Sequence, residues 1–130
     1  MRSDSNMDIK ESCGLFGIFG DTDAVQKTYL GLYALQHRGQ ESAGIASTDG
    51  QTISCYTGMG TVARVFRNSS MMLEKLANPA AIGHVRYSTS GSSNPINSQP
   101  LVAEYSRGQV AIAHNGNLIN ASLLRPRRAS

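Results

Sequence analysis

Six short apolar runs, each closed by a turn signal, constrain this chain more than anything else in it. GLFGIF (14–19), AGIAS (43–47), QTISCYTG (51–58), AAIGHV (80–85), LVAEYS (101–106) and QVAIA (109–113) are too short for helices and read as strands. Asp49-Gly50 predicts a tight turn between the second and third runs, and Arg107-Gly108 predicts one between the last two. Only AVQKTYLGLYALQ (24–36) has helical period. Val25, Tyr29, Leu32 and Gln36 fall on one side, Leu35 joins the stripe, and Asp23 with Gln26 has capping-box spacing. Gly39 is expected to end this helix in the left-handed conformation. TVARVF (61–66) and MMLEKLAN (71–78) read as short helices, the second stopped by Pro79. The pattern predicts an α+β domain with helices packed on antiparallel sheet.

A chain of 130 residues accommodates one domain with a real core. No apolar stretch approaches a membrane span, and the first dozen residues lack the apolar segment of a secretory signal, so the expected compartment is the cytoplasm. Two cysteines, Cys13 and Cys55, agree with that expectation, because a disulfide framework needs more. The net charge of +3 comes from Arg125, Arg127 and Arg128; the rest carries nine basic against nine acidic residues. A nucleic-acid footprint would spread over a folded face, so neither nucleic acid nor membrane is an expected partner. Cys13, Cys55, His37, His84 and His114 show no close ligand spacing, and no metal site is expected.

Four stretches carry candidate chemistry. Cys13 stands before the first strand, after a polar segment. A thiol becomes nucleophilic when a base takes its proton, and a free α-amino group with a pKa near ~8 is such a base once residues 1–12 are removed. On local sequence alone, a small core thiol at a strand head is the commoner case. In AHNGN (113–117), Asn115 and the backbone N–H of Gly116 are the two donor types that hold an oxyanion, though Asn-Gly is also the commonest turn pair. In HVRYSTSG (84–91), Arg86 with Thr89 can clamp a carboxylate, or Arg86 can be a solvated edge-strand residue. QHRGQESAG (36–44) gathers His37, Arg38 and Gln40 around Gly39, either as a binding loop or as a hydrogen-bonded helix end.

Taken in order, CGLFGIFG, LGLYALQHRGQESAGIAS, IGHVRYSTSG, NSQPL and AIAHNGNL resemble the glutamine-hydrolysing domain of class II glutamine amidotransferases. QHRGQESAGI and HVRYSTSG point to the phosphoribosylpyrophosphate-using branch. The resemblance covers Cys13 to about Leu124. It implies an N-terminal nucleophile (Ntn) hydrolase fold, a four-layer αββα sandwich, incomplete at the C-terminus. It implies a leader at 1–12, a partial glutaminase domain at 13–124 and a basic tail at 125–130 outside the family pattern. It also implies that Cys13 attacks L-glutamine, Asn115 and Gly116 form the oxyanion hole, Arg86 and Thr89 hold the α-carboxylate, and Arg38 supports the loop. This reverses the local reading of Cys13.

The ammonia would convert phosphoribosylpyrophosphate to 5-phosphoribosylamine, the first step of de novo purine synthesis. The resemblance implies a phosphoribosyltransferase domain for that step, and in the glutaminase domain itself an acidic group for the α-amino group of glutamine; neither is expected in this chain after Leu124. No cofactor is expected in this chain; magnesium, and the iron–sulfur cluster of the processed subtype, belong to the part beyond it. The full-length family implies a homo-oligomer. The alternative is a non-catalytic truncated remnant or an interaction module.

Overall fold

The computed structural model describes residues 13–37, 39–67, 74, 76–87 and 95–114. Among these residues, six strands and two helices follow in the order β1 (Gly14–Phe19), α1 (Ala24–Leu35), β2 (Gln40–Thr48), β3 (Ile53–Met59), α2 (Val62–Val65), β4 (Ala80–Tyr87), β5 (Leu101–Tyr105) and β6 (Gly108–Ile112), with a 3-10 turn at Pro95–Asn97 before β5. One antiparallel sheet has the order β1-β4-β2-β3; β5 and β6 form a separate hairpin. All six expected strands form. Half of MMLEKLAN, residues 71–73 and 75, lies outside the described residues.

The last strand of the first sheet inserts between its first two, so β4 is central. Gly14 pairs with Val85 on one side, and Gly44 pairs with His84 on the other. Alternation then gives β4 two buried faces. Ala81, Gly83, Val85 and Tyr87 face α1, while Ile82, His84 and Arg86 face the hairpin layer. The helix buries Ala24, Val25, Thr28 and Leu32 against the sheet, and full burial of a Val or Leu side chain is worth about 1.5–3 kcal/mol. Thr28 satisfies its buried hydroxyl by donating to the Ala24 carbonyl at 2.8 Å. Ile45, Val62, Phe66 and Leu76 complete the core, with Tyr29 and Tyr56 edge-on to Phe66. Tyr87 Oη donates to the Leu35 carbonyl at 2.7 Å and fixes the end of α1.

The ends of α1 differ from the sequence expectation. Asp23 makes no side-chain cap; Asp21 Oδ1 instead accepts from the Asp23 N–H at 2.7 Å, and its other oxygen accepts from Lys27. At the other end the backbone is already extended at Gln36, and Gly39, with φ of +91°, turns the chain into β2 rather than closing the helix. The run GLFGIF is half-buried: Gly14, Phe16 and Ile18 lie toward α1, while Phe19 is 90% exposed.

The hairpin stands over the opposite face of the sheet. Gln109 Oε1 accepts from the Ile53 N–H at 2.9 Å, and Cys55 Sγ lies 3.7 Å from the Pro100 carbonyl. The described residues thus form a helix layer, a sheet layer and a second sheet layer. The hairpin's outer side carries Leu101, Tyr105, Val110 and Ile112, all exposed.

Gly44 sets the spacing between the two sheets. A Cβ there would collide with the Gln99 carbonyl and would lie 2.6 Å from the Thr57 methyl and 3.0 Å from Pro100 Cδ. Overpacking of this kind costs about 1–3 kcal/mol. Gly44→Ala is expected to lower stability by that amount in chemical denaturation; an unchanged midpoint would show that the sheets separate freely there.

Candidate active site

Cys13 is half-buried at the head of β1, and its thiol is free. The register that pairs Gly14 with Val85, carried one step further, sets Cys13 opposite Arg86. Two residues far apart in sequence meet at one end of the sheet because β4 lies beside β1. Cys55 is different. Its residue surface is exposed overall, but its sulfur is directed at the Pro100 carbonyl, and desolvation raises its pKa.

Arg86 is not a solvated edge residue; its strand is central and its side chain is 20% exposed. Its Nε donates to Glu41 Oε2 at 3.3 Å, and Glu41 is 15% exposed. A β-bulge makes this pair possible. Gln40 pairs with Tyr87 but Ser42 pairs with Arg86, so Glu41 is the extra residue. A bulge redirects a side chain that regular alternation would send elsewhere. Engaging Nε orients the guanidinium plane and leaves its terminal amino groups as the fork a carboxylate fits.

The QHRGQ loop is a hydrogen-bonded junction. The Val62 N–H donates to Gln36 Oε1 at 2.9 Å and to Gln40 Oε1 at 3.1 Å. Gln40 Nε2 donates to the Ser42 and Gly60 carbonyls at 2.8 and 2.7 Å. Two glutamines therefore tie both ends of the loop to the turn after β3. Arg38, Thr89, Asn115 and Gly116 lie outside the described residues. Among the described residues, no group of three His, Cys, Asp or Glu side chains is placed to hold a metal ion.

Sequence reasoning missed the role of two residues at this end of the sheet. Glu41 carries no signal of its own within QHRGQESAG, because a bulge leaves no mark in hydrophobic pattern. His84 attracts notice in the sequence only as a possible metal ligand. It is fully buried, with Nε2 3.1 Å from the His114 carbonyl oxygen. A carbonyl only accepts, so Nε2 carries the proton and Nδ1 is bare; Nδ1 is buried with no partner among the described residues. Burial, with Arg86 and His114 nearby, lowers the His84 pKa to about 4.

Comparison with known proteins identifies the family and the fold. The sequence profile described as "Glutamine amidotransferases class-II" matches residues 12–129. The chain belongs to the class II glutamine amidotransferases. It is 53% identical over 117 residues to the amidophosphoribosyltransferase of a Synechocystis species, covering 89% of this chain and 23% of that protein. It is 48% identical over 118 residues to the Bacillus subtilis amidophosphoribosyltransferase, covering 90% of this chain and 24% of the relative. A solved structure titled as the allosteric regulatory enzyme of purine biosynthesis superposes with a TM-score of 0.78 at 48% identity, over 85% of this chain and 24% of that one. The B. subtilis enzyme complexed with ADP and GMP superposes with a TM-score of 0.74 at 46% identity, over 85% of this chain and 23% of that one. The chain thus spans about a quarter of the length of these relatives. Its layers are those of the Ntn-hydrolase sandwich, and α+β is the correct class. Among the described residues, no helix is long and apolar enough to cross a membrane.

The buried neutral histidine has a consequence for stability. With a pKa near 6.5 unfolded and about 4 folded, His84 takes up a proton more readily in the unfolded chain across that window. Its contribution is fully present above about pH 6.5 and is lost as pH falls through about 4, a change on the order of 3 kcal/mol. His84→Gln, which does not titrate, is expected to flatten this part of the stability–pH curve. Parallel curves for the two proteins would place the titration elsewhere.

Proposed function

We propose that this chain is the glutaminase portion of an amidophosphoribosyltransferase, and that Cys13, exposed by removal of residues 1–12, is its nucleophile. The observation that carries the reading is the β1–β4 register, which runs toward Cys13 and Arg86 at the same end of the sheet, in a chain about half identical to enzymes of that name. The free α-amino group of Cys13 takes the thiol proton, and the sulfur attacks the side-chain amide carbon of L-glutamine. Asn115 and the Gly116 N–H hold the oxyanion that forms. Collapse of the tetrahedral adduct breaks the C–N bond, and the proton held on the α-amino group leaves with ammonia. Water then attacks the thioester and releases glutamate.

Arg86 receives the substrate α-carboxylate on its terminal amino groups while Glu41 holds Nε. Thr89 assists in the same loop, and Arg38 supports the site from the loop after α1. Ammonia is consumed by phosphoribosylpyrophosphate in the remainder of the protein. Magnesium, any iron–sulfur cluster and homo-oligomer contacts belong to that remainder, and the compartment is the cytoplasm.

Intact mass before and after treatment with a diazoketone analogue of glutamine tests the reading. Loss of residues 1–12 and one added label are expected, with no label on Cys13→Ser. A label that persists in Cys13→Ser, as it would on Cys55, would remove Cys13 from the nucleophile's role.

The carboxylate clamp is read from glutamine dependence. Arg86→Lys replaces a planar fork with a point charge and is expected to raise the glutamine KM at least tenfold. Glu41→Gln keeps an acceptor but loses the charge, and a rise of a few-fold is expected. Unchanged KM in both would separate this pair from the substrate carboxylate.

A further inference from the structure

The chain leaves β6 at His114, whose two main-chain polar groups are both held by buried side chains. The His114 carbonyl accepts from His84 Nε2 at 3.1 Å, and the His114 N–H donates to Gln99 Oε1 at 2.7 Å. His84 is fully buried and Gln99 is 4% exposed. The two come from different layers. His84 lies in the middle of β4, paired with Leu15 of β1 and Gly44 of β2. Gln99 lies in the segment before β5, with its own carbonyl seated over Gly44. A donor from the sheet and an acceptor from the hairpin's approach thus hold the same residue.

Beyond the strand end no ladder supplies partners for the main chain, and at His114 buried side chains supply both. Burying an imidazole whose Nδ1 has no partner among the described residues also costs free energy. The arrangement fixes the position and orientation of the His114 peptide. The next residues in sequence are Asn115 and Gly116. We infer that His84 and Gln99 are a main-chain clamp on His114 that positions the oxyanion donors following it. Both are positioning residues, acting through the backbone and not on the substrate. The inference rests on the glutaminase reading for its catalytic consequence, but the clamp itself does not.

Donor placement matters to a reaction that develops negative charge on oxygen, and removing one oxyanion donor outright costs about 10²–10³ in rate. Displacing the donors should cost less and should act on kcat. Glutamine binding through Arg86 should be little affected. A second reagent separates positioning from general damage. Iodoacetamide alkylates Cys13 by displacement at a saturated carbon, which forms no oxyanion and does not need the clamp.

The experiment compares the wild-type protein with His84→Leu, Gln99→Leu and His84→Gln. Glutaminase kcat and KM and the iodoacetamide rate at Cys13 are measured for each. Imidazole nitrogen NMR at neutral pH reads the wild-type clamp directly. The expected spectrum has a slowly exchanging Nε2–H and an unprotonated Nδ1 on His84. The expected kinetics are a fall in kcat of at least tenfold in both leucine variants, with KM and alkylation within about twofold of wild type. His84→Gln, which can still present an N–H to the carbonyl, should recover most of the loss.

Leucine variants within twofold of wild-type kcat would overturn the proposal. So would alkylation falling in parallel with kcat, which marks a structural role only. A wild-type protein that hydrolyses no glutamine, yet shows the protected Nε2–H, would overturn the glutaminase reading and the catalytic consequence but leave the clamp. Absence of that protected proton would overturn the clamp whatever the activity.

Discussion

Everything at the candidate site depends on β4 being paired on both edges and covered on both faces. A strand in that position has no solvent-facing side, so each residue must suit a neighbour. Toward α1 the answer is small and apolar residues. Gly83 lets the helix approach so closely that an added Cβ would lie 2.6 Å from the Thr28 methyl and 2.8 Å from Leu32. Toward the hairpin the strand carries His84 and Arg86, polar groups that need partners once water is excluded. Glu41 and the His114 carbonyl are those partners. Packing on one face thus determines where the polar groups of the other are held.

The same constraint explains which parts of the fold were legible in the sequence. All six strands were, because turn residues punctuate short apolar runs and both hairpin turns carry glycine. The helix was legible over its whole length from the spacing of Val25 and Leu32. Its ends were not. Asp21 accepts from the Asp23 N–H while the Asp23 side chain caps nothing, and the Tyr87 hydroxyl closes the last turn from β4. Strand order also could not be read, since nothing in a linear pattern says that the fourth strand returns between the first and second. That order is what brings Cys13 to Arg86.

For the site, the residues whose chemistry is intrinsic were the easy ones. A lone cysteine at a strand head and an arginine in a polar loop motif attract notice whatever surrounds them. Gln36, Gln40, Glu41 and His84 are ordinary in type, and their importance comes from position. Glu41 faces Arg86 only because a bulge breaks alternation. His84 stays neutral far below the usual histidine range because burial lowers its pKa to about 4. The two glutamines matter because their amides reach the N-terminus of α2 and the turn after β3. Such roles emerge with tertiary structure, since every partner except the Ser42 carbonyl lies twenty or more residues away.

The spacing of the two sheets decides how these polar contacts coexist. If the hairpin layer sat farther from the first sheet, the distance from His84 to the His114 carbonyl would exceed a hydrogen bond, and water would compete for both groups. If it sat closer, the Gln99 carbonyl would strike the β2 backbone. Gly44 is where that limit is set, directly across from His84 in the ladder. A side chain at Gly44 would push on Gln99 first, and Gln99 holds the His114 N–H. The absence of one methyl group in β2 is therefore coupled, through two hydrogen bonds, to the direction in which β6 hands on the chain. The core-packing requirement and the proposed chemical requirement converge on the same few atoms between the sheets.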